Sequence, residues 1–141
     1  MYRKKKTGFT LIELLVVATI IIVLSAIGLV SFTNAGKSAR NSKRKSDLET
    51  VRQALVLYKS DMGTYPALSP NNHTQYETLV SNTYLGNGYV SDPTPDDPKA
   101  GQTSCGPVGG VACNYLYIGT ATTFTLTAPM EGEVNYVLTN P

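Results

Sequence analysis

Read from its N-terminus, the chain begins polar, turns apolar for 24 residues, and then becomes polar with an apolar position every three or four residues. The apolar run is Phe9 to Phe32, interrupted only by Thr10, Glu13, Thr19, Ser25, Gly28 and Ser31. As a helix it would extend roughly 36 Å, enough to cross a hydrocarbon layer of about 30 Å. From Ala35 to Met62 there is no proline, and Leu48, Val51, Leu55, Tyr58 and Met62 recur at spacings of 3, 4, 3 and 4. That period puts them on one helical face. Gly63 then supplies a stop, and Pro66 comes three residues later. The pattern predicts one helix of about 54 residues, apolar all round in its first half and amphipathic in its second. The stretch Lys37 to Asp47 joins the halves and has no apolar stripe of its own beyond Ala39.

Turn-forming residues dominate from Gly63 to Pro98. Thr74-Gln75-Tyr76-Glu77 has the spacing of a capping box, which predicts a short helix from Gln75 to about Ser81. Ser91 to Lys99, with its Asp-Pro and Thr-Pro steps, reads as turns. Strands are expected only after Cys113, at Asn114–Gly119, Thr122–Ala128 and Val134–Thr139. In the second, Phe124, Leu126 and Ala128 share one face. The fold class is therefore α+β, with a small antiparallel sheet burying one face on the Leu48–Met62 stripe. A fragment from about Lys45 onward is expected to hold the whole soluble core.

Composition changes this picture in one respect. The 141 residues make one domain, with 16% charged residues and a formal net charge of +2. That figure hides an asymmetry, for nine of the twelve basic residues lie at or before Lys45. From Ser46 onward three basic residues face nine acidic ones, a net of −6. The basic balance is thus no sign of nucleic-acid binding. A lone histidine, His73, and the lack of a Ser/His/Asp, Cys/His or phosphate-loop grouping argue against an enzyme.

The start of the apolar run carries the sharpest signal. Lys4-Lys5-Lys6 precede Thr7 and Gly8, and then come Phe9-Thr10-Leu11-Ile12-Glu13. A secretory signal peptide would have a shorter apolar region, of about 7–15 residues, and a small-residue exit. A carboxylate inside a membrane-length run is costly, and so points to function. Near one end it has a plain alternative, which is to snorkel to the interface. The block resembles the signal of type IV pilins and type II secretion pseudopilins. The resemblance covers the first quarter of the chain closely and the remainder in outline, the closing stretches Asn114–Tyr117 and Phe124–Ala128 included. It implies a pilin fold, a long helix packed on a small sheet. It divides the chain into a leader (1–8), a membrane and assembly half of the helix (9–33) and an extracytoplasmic head (34–141). A prepilin peptidase would cut between Gly8 and Phe9 and methylate the Phe9 amine. Glu13 would then pair with the Phe9 amine of a neighbouring subunit and set the register of a filament. Removing the leader leaves eight basic and ten acidic residues, a net of −2. Many members carry a proline where this chain has Val30, so only Gly28 weakens the helix there, by about 1 kcal/mol.

The function implied is that of a structural filament subunit. The first reading is a type IV pilus subunit for adhesion, motility or DNA uptake. The alternative is the major pseudopilin of a type II secretion system, and a further one is a monomeric membrane-anchored binding domain. Its partners would be further copies of itself, the peptidase, the assembly machinery and the membrane. The precursor would cross the cytoplasmic membrane once, N-terminus inside, with the head in the periplasm or outside the cell. In an exported head, Cys105 and Cys113, with seven residues between them, are expected to form a structural disulfide. A single histidine is too few for zinc, and the spacing is too wide for a redox pair. No cofactor is expected. The loop carboxylates Asp92, Asp96 and Asp97 read as solvated turn residues, with calcium as the lesser alternative. The basic cluster Lys37, Arg40, Lys43, Arg44 and Lys45 would meet lipid head groups or the acidic head of another subunit.

Overall fold

The computed structural model describes residues 8–81, 83–90, 95–103, 105–106 and 111–140. Two compact units divide between Lys37 and Ser38. One helix, α1, runs Leu11–Met62 and contributes to both. It stops where Gly63 takes φ +80° and donates its N–H to the Lys59 carbonyl at 2.8 Å.

Within the second unit, α2 spans His73–Val80. Its cap is Asn72, whose side-chain oxygen accepts from Gln75 N–H at 2.9 Å. The helix therefore starts two residues before the Thr74 box would have it. Asn72 is held extended by a bridge to Tyr117, which sets the entry of the chain. Three strands come after it, β1 (Leu116–Gly119), β2 (Phe124–Ala128) and β3 (Tyr136–Thr139), in an antiparallel sheet of that order. Leu116 faces Thr127, and Ala128 faces Tyr136.

Each strand begins two residues later than its alternation suggested. Asn114 is occupied in accepting from Gly101 N–H at 3.0 Å. Thr122 and Thr123 belong to a turn closed on the Thr120 hydroxyl. Val134 is solvent-exposed beyond the turn at Gly132, where φ is +75°. The outer edge of β1 is not open, because Leu68 and Gly119 exchange both backbone hydrogen bonds and Tyr117 N–H bonds Asn72. That cover suppresses edge pairing on this side.

The core gathers Leu48, Val51, Ala54 and Leu55 of α1, Tyr76 and Leu79 of α2, and Tyr115, Tyr117, Phe124, Leu126 and Ala128 of the sheet region. Each fully buried aliphatic side chain contributes about 1.5–3 kcal/mol. The stripe ends at Tyr58, whose ring meets Tyr84 and Tyr89 edge-on, while Met62 is exposed. Gly63 turns the chain away before a cover for Met62 is built. Buried tyrosines keep their hydroxyls paired, Tyr76 to the Pro95 carbonyl, Tyr117 to the Pro66 carbonyl and Tyr115 to Asp47. Burial, then the Asp47 bond, pushes the Tyr115 hydroxyl well above the usual phenol range.

The stretch that joins the two halves of the helix is not a solvated linker. Arg44 is fully buried, and Asn41 nearly so. The Arg44 guanidinium grips Asp97 with two bonds, at 2.7 and 2.9 Å, and donates to Glu131 at 3.1 Å and to Asn41 at 2.9 Å. It also lies 3.3 Å from Cys105 Sγ. Glu131 receives Arg40 at 2.6 and 2.8 Å and Lys99 at 3.2 Å. Asn41 closes the ring by exchanging two hydrogen bonds with the Glu131 backbone. Among the described residues no buried side-chain nitrogen or oxygen lacks a partner. The cluster therefore meets the condition on which buried charges are tolerated.

The Lys45 boundary for a soluble core must move, since that cut would delete Arg44 and Asn41. A fragment of residues 38–141 should fold. One starting at Lys45, or the longer fragment carrying Arg44→Ala, should lose about 3–5 kcal/mol, because Asp97 is left buried and unpaired. Urea unfolding of the three fragments measures this. Acid offers a second check. Arg40 hydrogen bonds, opposed by burial and aided by Lys99 and Arg44, hold the Glu131 carboxyl at about 2, below its ordinary 4.5. A depressed folded value stabilises above the unfolded one, so about 3 kcal/mol present at neutral pH should be lost as pH falls from about 4.5 to about 2. The stability gap between wild type and Glu131→Gln should narrow across that window.

Candidate assembly segment

The first unit is the apolar half of α1, long and apolar enough to cross a membrane. Within its most apolar stretch nothing is buried inside the molecule. Phe9, Leu11, Ile12 and the aliphatic side chains through Phe32 are all exposed. An uncovered apolar surface of this extent requires lipid or other chains around it. Two threonines of this segment serve the helix itself. Thr19 and Thr33 hydroxyls donate to the carbonyls of Val16 and Val30, at 2.8 and 2.9 Å. The helix continues unbroken through Gly28 and Val30.

Glu13 has a local partner at the head of this helix. Thr10 N–H and the Thr10 hydroxyl both donate to Glu13 Oε2 at 2.8 Å, and Glu13 N–H returns to the Thr10 hydroxyl at 3.3 Å. This is a capping box, which satisfies two donors that the helix start leaves over. Sequence reasoning passed over Thr10, although the Thr-x-x-Glu spacing of residues 10–13 was there to be read. Glu13 Oε1 carries no hydrogen bond among the described residues. Gly8 and Phe9 lie exposed just before the box. The leader lysines and the rest of residues 1–7 lie outside the described residues.

The structure divides the basic cluster that the sequence presents as one band. Arg44 is buried against Asp97, and Arg40 is committed to Glu131. Lys43 bonds Asp47 at 2.8 Å, and Lys45 lies 5.8 Å from the Tyr136 ring centre. Only Lys37, Lys43 and Lys45 remain to meet lipid or another subunit. Asp97, one of three carboxylates considered for calcium, spends both oxygens on Arg44. Asp96 takes Asp97 N–H at 2.8 Å, and Asp92 lies outside the described residues. Among the described residues no three His, Cys, Asp or Glu side chains group as a metal site.

Cys105 and Cys113 are joined by a disulfide, with Cα atoms 5.3 Å apart. Closing so short a loop contributes about 2–3 kcal/mol in the chain-entropy account. Cys105, one half of the bridge, lies against the Arg44 guanidinium. Gly106, at φ +89°, donates to the Met130 carbonyl at 2.7 Å and accepts from Gly132 at 3.1 Å.

Residues 3–29 match the model of the prokaryotic N-terminal methylation motif. The chain is similar to type II secretion system core protein G of Aeromonas hydrophila, 32% identical over 106 residues, covering 70% of this chain and 71% of that protein. The Escherichia coli protein of the same name is 32% identical over 99 residues, 67% of each chain. The Pseudomonas aeruginosa one is 34% identical over 67 residues, so that alignment spans only 47% of its length. No solved structure matches the chain. The methylation motif, the apolar helix, the small antiparallel sheet and relatives aligned well past the leader lead to one family. The chain belongs to the type IV pilins and type II secretion pseudopilins.

Proposed function

We propose that this chain is the major subunit of a type II secretion pseudopilus, a structural protein rather than a catalyst. Of the two filament readings open from the sequence, the relatives favour this one over a surface pilus, since all three bear the name secretion core protein G. The observation that carries it is the uncovered apolar helix headed by a charged cap. In the precursor that helix is surrounded by lipid, N-terminus inside, with the head on the far side. The peptidase cuts between Gly8 and Phe9 and methylates the new amine. Neighbouring helices then replace lipid around the span.

Glu13 is the residue on which register depends. Thr10 occupies Oε2 and leaves Oε1 for an incoming cation. Cleavage creates that cation as the Phe9 amine, an ammonium at neutral pH. Between subunits in a low-dielectric bundle, the pair would be strong only in one axial register. A carboxylate that serves both as a cap and as a docking group keeps its charge compensated at each stage.

Processing should depend on the small residue before the cut. Gly8→Val should leave full-length, membrane-held protein, and mass spectrometry finding chains that begin at Phe9 would refute the cleavage site. Assembly should depend on Glu13 separately from insertion. Glu13→Val should be inserted and cleaved, because the span becomes more apolar, yet yield few fibres because the Phe9 amine enters the bundle uncompensated. Glu13→Gln keeps shape and the Thr10 contact and should fail nearly as badly. Normal fibre yield from both on electron microscopy grids, at equal subunit levels, would leave Glu13 as a cap alone. Deleting the gene should abolish protein export and leave surface pili in place. The opposite result would return the chain to the pilus reading.

A further inference from the structure

A cleft of about 440 Å³ opens in the head between α2 and the Pro95–Asp96 segment. Tyr76 and Val80, both buried, form its floor with Pro95, and His73, Glu77 and Asp96 form its rim. The Tyr76 hydroxyl is spent on the Pro95 carbonyl at 2.6 Å, so the cleft presents a ring face there. His73 is likewise engaged, Nδ1 with the Tyr115 carbonyl and Nε2 with Glu77. The carboxylates of Glu77 and Asp96 remain on the solvent side. An apolar floor under a carboxylate rim is the complement of a long basic side chain, with the methylene stem on the floor and the ammonium at the rim. The chain's own Lys43 ammonium donates to the Asp96 backbone carbonyl at 3.3 Å.

We propose that this cleft receives Lys37 or Lys45 of a neighbouring copy, a contact that ties head to head alongside the helix bundle. The inference rests on the fibre reading above. Its basis is charge complementarity within one chain. Arg40 and Arg44 are consumed inside the head, which leaves Lys37 and Lys45 exposed with no ion-pair partner among the described residues. The rim of the cleft offers the exposed carboxylates of Glu77 and Asp96. Copies set side by side with an axial offset would bring these lysines of one to the carboxylate rim of the next.

Charge reversal tests it in the full chain. Glu77→Lys with Asp96→Lys, and separately Lys37→Glu with Lys45→Glu, should each lower fibre yield about tenfold or more through like-charge contact. The chain with all four changes should recover most of the wild-type yield. Unchanged melting of each variant confirms that the exposed substitutions leave the head folded. Carbodiimide cross-linking of wild-type fibres keeps the test independent of any variant, and should join Lys37 or Lys45 of one copy to Glu77 or Asp96 of another. Wild-type fibres without such cross-links, or a fourfold variant no better than the worse double, would overturn the docking and leave the fibre reading intact. A wild-type chain that forms no fibres would overturn both.

Discussion

Arg44 is the residue on which the head depends. It sits on a helix whose neighbouring turns are polar, and it is buried only because three other segments bring groups to it. Asp97 comes from the turn region, Glu131 from beyond β2, and Cys105 from the disulfide loop. A guanidinium buried without these partners would be untenable, and so would Asp97 without the guanidinium. The cluster therefore fixes where the irregular segments lie on α1. Apolar packing alone would not, because hydrophobic burial is non-directional while a forked guanidinium accepts few arrangements.

The consequence is a division of labour along one helix. The second unit covers its apolar stripe from Leu48 to Leu55 and pairs its own buried charges. The first unit does neither. Its side chains face outward all round, and its single carboxylate holds only the helix start. On the function proposed above, a helix left so bare is stored in lipid and released into a bundle. The head holds a buried core of its own, and the span is exposed along its length.

Much of this was legible from residues. The length of α1, its Gly63 stop, the order of the elements and the Phe124/Leu126/Ala128 face stem from period and turn chemistry, which act locally. What escaped was non-local. Arg44 looks like a surface cation among Lys43 and Lys45, and nothing within several residues marks it as buried. Its partners lie 53 and 87 positions away. Asp97, in a proline-flanked turn, looked solvated for the same reason. The capping box at Thr74 lost to Asn72 because a bridge to Tyr117 held the chain extended there, a constraint from the sheet. Thr10 is a different case. Its spacing to Glu13 is local and is that of a capping box, so this contact is legible in the sequence.

On the function proposed above, a head with its own core delivers a bare helix whose Glu13 meets the amine of another copy. Electron cryomicroscopy of fibres grown from the processed chain tests it most directly. The expected result is a helical bundle in which the Phe9 nitrogen of each subunit lies within ion-pair distance of Glu13 in a neighbour, with Arg44 still closed on Asp97 and Glu131. A fibre in which every Phe9 amine is remote from every Glu13 would contradict it.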